Sequence, residues 1–371
     1  MAERLSFGIG VGSQPPASAS RWMLRLAKGL RLDSAWVVDH FMGWFPAGLW
    51  NRRFTWLARG GSPHAFFDPQ ALMGRLAPHA GRLQLGIGVT EALRRHPVSI
   101  AQFAMTLSHF TARPPILGLG AGERENVEPY GLPFDRPVGR LEEAVRIIRT
   151  CFTSDGPFEF RGEHFSMPDA LMDLAPKEGN TPEIWVAAHG PRMLRITGQY
   201  ADGWYPVYTA TPDAYAAGLR EIHAAAARAG RPPSDITPAL QMPFVVGRSR
   251  DAARRMLDHP AIRYLGLITP ASAWSAVGAE HPFGPSFRGV VDFVPHRHGA
   301  VELREALEGV PDAVMERSAA WGTVDDVAEV LGDFADAGLR HVVLTPVSGL
   351  VSRREAVRAV GAIRTLRRRL G

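Results

Sequence analysis

The chain has 371 residues, and its content of 46% apolar and 21% charged residues is that of a globular protein with a large core. This composition excludes a disordered chain, a collagen-like fibre and a small disulfide scaffold. Cys151 is the only cysteine, so an intrachain disulfide and a thiolate-ligated metal cluster are excluded as well. Because Cys151 ends an apolar helical pattern, we expect it to be a buried structural thiol.

The net charge is +5, from 42 Lys and Arg against 37 Asp and Glu. No zinc-finger spacing, aromatic–basic motif or basic heptad accompanies these charges, so we expect no nucleic-acid partner. The one local cluster, residues 367–369, is typical of a solvated helix end. The N-terminus lacks a signal-peptide pattern and no apolar stretch is long enough for a membrane span, so the sequence predicts a cytoplasmic protein.

Short apolar runs alternate with helical patterns along the chain. Strands are predicted at 5–10, 35–38, 83–89, 116–119, 183–187, 203–207, 236–246 and 339–344. Helices are predicted at 21–30, 96–110, 136–152 and 212–229, after Gly190, and from a Thr323–Asp326 capping box to Gly338. This alternation indicates parallel pairing, and eight units favour a closed barrel over an open sheet. The predicted fold is α/β, a (β/α)8 TIM barrel.

Two stretches, residues 41–67 and 257–317, exceed minimal barrel units. They follow the second and seventh strands, at the end where barrel enzymes place substrate-binding loops. The first is rich in Trp and Phe, and the second in Pro, Gly, His and aromatics. We expect short helices within each insertion, inside one domain that covers residues 1–371.

Two acidic positions lie where strands end. A carboxylate beside an imidazole, as in Asp39-His40, can fix the tautomer of a general acid or base, although such pairs also end ordinary strands. The run 118–123 ends in Glu123 and lacks the apolar helix of a dinucleotide-binding fingerprint. It offers a backbone that a flat cofactor can approach, or simply a glycine-rich turn.

Two further glycine positions indicate ligand contact. The third strand contains Gly86 and Gly88, which suggests a bulge or the close approach of a ligand. The strand that ends at Ala187 leads through Gly190 to Pro191, a residue suited to the first turn of a helix. The free N–H groups there, with the charge of Arg192, make a candidate phosphate site.

Taken in order, these motifs resemble the luciferase-like superfamily of barrel oxidoreductases, in the branch that uses the deazaflavin coenzyme F420. The resemblance rests on Asp39, His40 and Trp44; on Gly88, Val89 and Thr90; on Gly122, Glu123 and Asn126; and on Ala187, Ala188, His189, Gly190 and Pro191. Within this branch the chain looks most similar to the phthiodiolone dimycocerosate ketoreductases, through residues 122–131 and 183–195. It looks more distantly similar to the F420-dependent glucose-6-phosphate dehydrogenases.

The resemblance implies hydride transfer between C5 of the deazaflavin and a carbonyl or alcohol carbon, and a homodimer. His40 is then the acid that protonates the developing alkoxide, held by Asp39. Glu123 manages the proton at the N1 side of the deazaflavin, and Trp44 shapes the substrate face. The implied coenzyme contacts are the Gly88 bulge at the ring, Thr90 and Asn126 near the ribityl chain, and Ala188, Gly190 and the helix after Pro191 at the phosphate. The other implied contacts are Asp39, Val89, Gly122, Glu123, Ala187, His189, Pro191 and Met193.

One departure bears on the substrate. The sugar-phosphate enzymes bind phosphate through lysines of the later loops, but no Lys follows Lys177 in this chain. The aromatic insertion argues instead for an apolar ketone or alcohol. The alternatives are an FMN-dependent monooxygenase on the same fold and a non-catalytic coenzyme-binding protein. No metal is expected at the site.

Overall fold

The computed structural model describes residues 4–59, 61–207 and 211–371. The strands in these residues are β1 (Ser6–Gly10), β2 (Ser34–Val37), β3 (Gln84–Thr90), β4 (Ile116–Leu119), β5 (Phe158–Arg161), β6 (Ser166–Ala170), β7 (Glu183–Val186), β8 (Gly203–Trp204), β9 (Thr237–Val246), β10 (Ala320–Gly322) and β11 (His341–Pro346). Eight of them close into a parallel barrel in the order β1-β2-β3-β4-β7-β8-β9-β11. The predicted (β/α)8 TIM barrel is confirmed.

Helices surround the barrel and fill its connections. They are α1 (Ala17–Gly29), α2 (Pro69–Ala80), α3 (Pro97–Phe110), α4 (Pro137–Thr153), α5 (Pro191–Tyr200), α6 (Pro212–Arg228), α7 (Arg250–Leu257), α8 (Pro260–Leu267), α9 (Ala271–Ser275), α10 (Ala300–Glu308), α11 (Asp312–Ser318), α12 (Val324–Asp336) and α13 (Arg353–Leu370). Four of them, α3, α4, α6 and α12, both begin and end within about two residues of their predicted bounds. Helix α1 begins four residues early, directly after Pro16, because its first turn consists of Ala and Ser, which carry no apolar period. None of the helices in the described ranges is both long and apolar enough to cross a bilayer.

Two features of the strands depart from the pattern of a minimal barrel. The predicted strand 203–207 shortens to β8, because Pro206 cannot donate to a ladder and only Val207 bridges beyond it, to Gln241. An antiparallel hairpin, β5–β6, lies outside the barrel and was not predicted. The Glu143 carboxylate of α4 fixes the turn of this hairpin by accepting hydrogen bonds from the backbone N–H groups of residues 163–165.

The inside of the barrel is filled by aromatic side chains. The rings of Trp36 and Tyr205 stack with centroids 4.5 Å apart, and Trp185 packs against both. All three residues are buried. The barrel interior is therefore a packed core, and a ligand of the barrel is expected above this aromatic plug, where the strands end.

The two insertions share a second hydrophobic core. Leu49 and Phe54 of the first insertion pack with Tyr264 and Phe293 of the second, and all four residues are buried. The expected short helices are present as a 3-10 turn at Trp56–Arg59 and as α8 to α11. Many of the insertion aromatics are thus packing residues, and Phe41, at 45% exposure, is an exception.

Two smaller expectations are also confirmed. Cys151 is buried in α4, and burial raises the pKa of its thiol to about 11, so it stays protonated and unreactive. The arginines at 367–369 form the last turn of α13, where cations favour the negative end of the helix dipole.

The capping box of α12 gives a test of local stability. Asp326 N–H donates to Thr323 Oγ1 at 3.3 Å, and Thr323 N–H donates to Asp326 Oδ2 at 2.7 Å. Thr323→Ala removes the first of these bonds and should lower the free energy of unfolding by about 1 kcal/mol in urea titrations. Thr365→Ala, inside α13, is the control, since Ala favours a helix interior and the same substitution should cause no loss there.

Candidate active site

Two strand ends that flank β3 supply the candidate site. The chain leaves β2 through Asp39 and His40, and it leaves β4 through Gly122 and Glu123 into a 3-10 turn, Arg124–Asn126. Gly122 has φ +89°, and a Cβ there would lie 2.9 Å from Leu93, so only glycine fits this bend. The bend turns the acidic segment back over β3 toward His40.

The His40 ring meets this turn through one nitrogen. Its Nδ1 lies 3.1 Å from Glu125 Oε1 and 2.9 Å from Asn126 Nδ2. Glu123 Oε2 is 3.9 Å from the same nitrogen. Burial lowers the pKa of His40, although the nearby Glu123 and Asp39 carboxylates oppose this, so the ring is neutral near pH 7.

Asn126 fixes the arrangement because its carboxamide has one possible orientation. Its Oδ1 accepts the backbone N–H of Phe41 at 2.8 Å, so Nδ2 must face His40. The same Nδ2 lies 3.3 Å from Glu125 Oε1. Asn126 is buried, and both polar atoms of its side chain have partners within the protein.

Glu123 and Trp44 form the outer part of the cluster. Trp44 Nε1–H donates to Glu123 Oε2 at 3.2 Å, and the Trp44 ring stands edge-on to His40 at 5.1 Å. Burial and the neighbouring Glu125 raise the pKa of Glu123 to about 7. The second insertion fixes Trp44, because the Tyr264 hydroxyl donates to its carbonyl at 2.5 Å. His40, Trp44 and Glu123 thus lie together, as the resemblance implies.

The ligand atoms of His40, Glu123 and Glu125 lie within 4.8 Å of one another, a spacing that a divalent cation can also bridge. The groups that point into this cluster argue for protons instead. The N–H groups of Trp44 and Asn126 donate to its oxygens, and such donors compete with a cation for the same lone pairs. Burial raises the pKa of both Glu123 and Glu125, so the two carboxyls offer less negative charge to a cation at neutral pH.

Asp39 has a different role from the one expected. Its carboxylate accepts from Thr90 Oγ1 at 2.7 Å and pairs with Arg94 at 3.1 Å and with Arg95. It makes no hydrogen bond to His40 within the described residues, and the carboxylate on that ring belongs to Glu125. The expectation that Asp39 holds the His40 ring is corrected accordingly. A side chain already satisfied by two guanidinium groups has no need of the imidazole.

Strand β3 breaks its register beside this cluster. The Gly88–Val89 peptide bond is cis, and the pairing with β4 shifts between Ile87 and Thr90. The bulge expected at Gly88 is present. A Cβ on Gly88 would lie 3.0 Å from Tyr205, so the aromatic plug lies directly against this backbone.

The loop after β7 presents an uncapped helix end. Gly190 caps α5 without a side-chain hydrogen bond, Pro191 occupies the first turn, and a Cβ on Gly190 would meet no atom within 4 Å. Ala188 is buried and its carbonyl accepts from Trp204 Nε1 at 2.9 Å, while His189 is exposed and Met193 is half-buried. Arg192, expected to add positive charge here, is paired with Glu142 at 2.8 Å.

These features fit a flat cofactor that carries a phosphate. The uncapped N–H groups of α5 face open space, as an anion requires. Arg94 is buried and its Nη1 has no hydrogen-bond partner in the described part of the chain, so a polar acceptor near the bulge would satisfy it. The plug below and the bulge at Gly88 leave a floor for a planar ring.

Glu125, Arg94 and Tyr264 are residues of the site that the sequence analysis did not name. Their contacts with His40, Asp39 and Trp44 span 55 residues or more, and nothing in the local pattern marks them. For Glu125 the sequence contains a weak signal. Glutamates at 123 and 125 do not lie on one face of a helix, because side chains two positions apart point in different directions, so the pair differs from a solvated helix surface.

The chain was compared with known proteins. The family model of the luciferase-like monooxygenases matches residues 4–341. The phthiodiolone/phenolphthiodiolone dimycocerosates ketoreductase of Mycobacterium tuberculosis is 40% identical over 334 residues, which cover 89% of this chain and 88% of that protein.

Two solved structures share the fold. An F420-dependent secondary alcohol dehydrogenase in complex with an F420–acetone adduct has a TM-score of 0.76 at 19% identity, over 98% of each chain. A riboflavin lyase with modified FMN has a TM-score of 0.71 at 15% identity, over 99% of this chain and 92% of the other. By the extent of the family match and the identity to the mycobacterial ketoreductase, the chain belongs to the luciferase-like monooxygenase family.

Proposed function

We propose that this oxidoreductase uses coenzyme F420 to reduce a ketone on an apolar, lipid-like or polyketide-like substrate. The observation that carries the proposal is the cluster of His40, Trp44 and Glu123 above the Gly88 bulge. A ketoreductase at 40% identity and a 5,10-methylenetetrahydromethanopterin reductase of Methanolobus tindarius at 24% identity support the reduction. The F420-dependent secondary alcohol dehydrogenase that shares the fold is consistent with the coenzyme.

The bound deazaflavin would supply a hydride to the carbonyl carbon. His40 would give the proton that the carbonyl oxygen then needs, because its Nε2 is the ring nitrogen turned away from Glu125 and Asn126. Trp44 would close one side of the substrate position and exclude water from it. Glu123, with a pKa of about 7, can both give and take a proton at neutral pH.

The coenzyme would contact Gly88 and Val89 at the bulge and the segment from Gly122 to Asn126 beside it. Its phosphate would lie at Ala187 to Met193, where the α5 N–H groups are free. Thr90 and Asp39 would support the coenzyme site from the side of the barrel core, since Thr90 donates a hydrogen bond to Asp39 and both residues are buried. These assignments rest on the residue-by-residue resemblance and on the geometry just described.

An apolar substrate is supported by the aromatic surface beside His40. The rings of Phe41 and Tyr130 pack edge-to-face at 4.7 Å, and each residue is 45% exposed. Arg94 lies over the other side of Phe41 at 4.5 Å and holds the ring in place. A pair of exposed aromatic rings at the edge of a site is a suitable contact for an acyl or polyketide chain.

The proposal also includes a single domain over residues 1–371, a cytoplasmic location and a homodimer. The family resemblance supports the dimer, and light scattering after gel filtration measures it. The arginine-rich surface is consistent with a coenzyme whose phosphate and glutamate tail are anionic.

Binding experiments separate the proposal from its alternatives. Titration with F420 should quench the tryptophan fluorescence to saturation, and FMN should bind far more weakly. A screen of reduced F420 against apolar ketones then tests turnover. Saturable quenching by FMN alone would favour the monooxygenase, and tight F420 binding without turnover of any ketone would favour a binding protein.

Replacement of the proposed acid should slow catalysis and leave coenzyme binding intact. His40→Ala should lower kcat by about a hundred- to ten-thousand-fold, the usual contribution of a positioned acid or base. The F420 dissociation constant should change by less than threefold. His79→Ala, on the exposed end of α2, is the matched control. Unchanged turnover in His40→Ala would remove this residue from the mechanism.

The proposed phosphate site can be tested by charge. Gly190→Asp places a carboxylate at the start of α5 and should weaken F420 binding at least tenfold, measured by fluorescence titration. Because Asp is a good helix cap, the free energy of unfolding should not fall, which separates binding from folding. Gly190→Ala adds a methyl group in open space and should bind normally. Equal affinities of the two variants would place the phosphate elsewhere.

A further inference from the structure

We propose that Glu125 is a positioning residue that supplies a proton to His40 Nδ1 while the opposite ring nitrogen gives one to the substrate. The inference deepens the proposed ketone reduction and rests on it for the identity of the substrate group. Its geometric basis is the 3.1 Å contact between Glu125 Oε1 and His40 Nδ1, with Asn126 holding both groups.

Glu125 has no other evident task. Its side chain is fully buried, yet it forms no ion pair with Lys or Arg among the described residues. Its Oε2 has no hydrogen-bond partner there that meets ordinary geometry. A buried carboxylate without a cation is costly, and burial raises the pKa of Glu125 well above its usual range. The group is therefore a carboxylic acid near neutral pH, able to donate.

Several charged or titratable groups face this acid. Glu123 places a carboxyl oxygen within 4.8 Å of it, and Arg94 acts on it through space from the loop after β3. Tyr130 and Tyr264 lie near enough for the Glu125 charge to raise their pKa values, after the effect of burial. Asp39 faces His40 from the end of β2. The hydrogen bond from Asn126 and the charge of Arg94 favour the ionised form of Glu125, but burial outweighs them and Arg94 is already paired with Asp39.

A neutral imidazole needs such a partner. If His40 gave up its Nε2 proton alone, the ring would become an imidazolate, which is not accessible near pH 7. With Glu125 as donor, the O–H bond of Glu125 breaks and an Nδ1–H bond forms, while the Nε2–H bond breaks and an O–H bond forms on the substrate. Imidazole changes tautomer and stays neutral, and Glu125 ends as a carboxylate, to which Asn126 Nδ2 then donates in place of His40 Nδ1. The reduced deazaflavin is the reductant, so atoms and electrons balance.

Glu123 completes the path to solvent. Its side chain is 24% exposed, whereas that of Glu125 is fully buried. An oxygen of each carboxyl lies within 4.8 Å of the other, a gap that one water molecule can bridge, so a proton from solvent can pass through Glu123 to recharge Glu125 after each turnover. In the alcohol-oxidising direction the same groups would take the proton away.

Glu125→Gln tests the inference, because the amide keeps the size and hydrogen bonds of the acid but gives no proton. With reduced F420 and a ketone substrate, kcat should fall about a hundredfold or more while KM for the coenzyme stays within threefold. The decline of kcat above neutral pH, expected when the wild-type acid ionises, should be lost. Glu125→Asp should retain that decline. Glu128→Gln, in the same segment but in surface ion pairs, should leave kcat within twofold.

A second measurement needs neither coenzyme nor substrate. In nitrogen-15 histidine spectra, with the His40 signals assigned by their loss in His40→Gln, wild-type His40 should titrate in two coupled steps. In Glu125→Gln it should titrate in one. Identical His40 titrations in both proteins, or a Glu125→Gln enzyme with wild-type kcat and pH profile, would overturn the inference. A wild-type protein that shows the coupled titration but reduces no ketone would contradict the proposed function and leave the Glu125–His40 pair standing.

Discussion

The site depends on one hydrogen bond that crosses the top of β3. The Phe41 N–H donates to Asn126 Oδ1 and thereby joins the segment after β2 to the segment after β4, although the two strands are not neighbours in the barrel. Because this bond fixes the carboxamide, it also determines that a donor, Nδ2, faces His40 and Glu125. The ring orientation, the contact with the buried acid and the place of Phe41 at the edge of the site all follow from it.

The site also keeps two kinds of acid apart. Asp39 is surrounded by Arg94, Arg95 and a hydroxyl donor, and it anchors the loop after β3 to the end of β2. Glu123 and Glu125 lie four and six residues after β4 and have no cation paired with them among the described residues, so burial raises the pKa of Glu123 to about 7 and that of Glu125 well above its usual range. In the proposed mechanism one carboxylate serves structure and the other two serve proton movement. The three carboxyl groups differ because their neighbours differ, since the residue types are nearly the same.

The sequence predicts the barrel well because strand and helix periods are local properties. The bulge at Gly88 and the uncapped start of α5 are likewise marked by glycine and proline, whose backbone preferences are intrinsic. The partner of His40 was not predictable in this way. Asp39 is adjacent to His40 in the sequence but pairs with Arg94 and Arg95, whereas Glu125 contacts His40 from 85 residues further along the chain. Such pairings depend on the bend at Gly122 and on competition among buried charges. The periodicity of the sequence reports local structure only, so it predicts neither.

The aromatic plug below the site limits the direction from which substrate and water can reach it. Trp36, Trp185 and Tyr205 close the barrel from beneath, so everything that reaches His40 must arrive from the side where the strands end. In the proposed reaction the substrate and the water that recharges Glu123 therefore share one entrance. A molecule bound over Trp44 would block that entrance until it leaves. Glu125 would therefore be protonated before the substrate binds and protonated again only after the product departs. The packing of the barrel interior thus imposes an order of events on chemistry that takes place outside it.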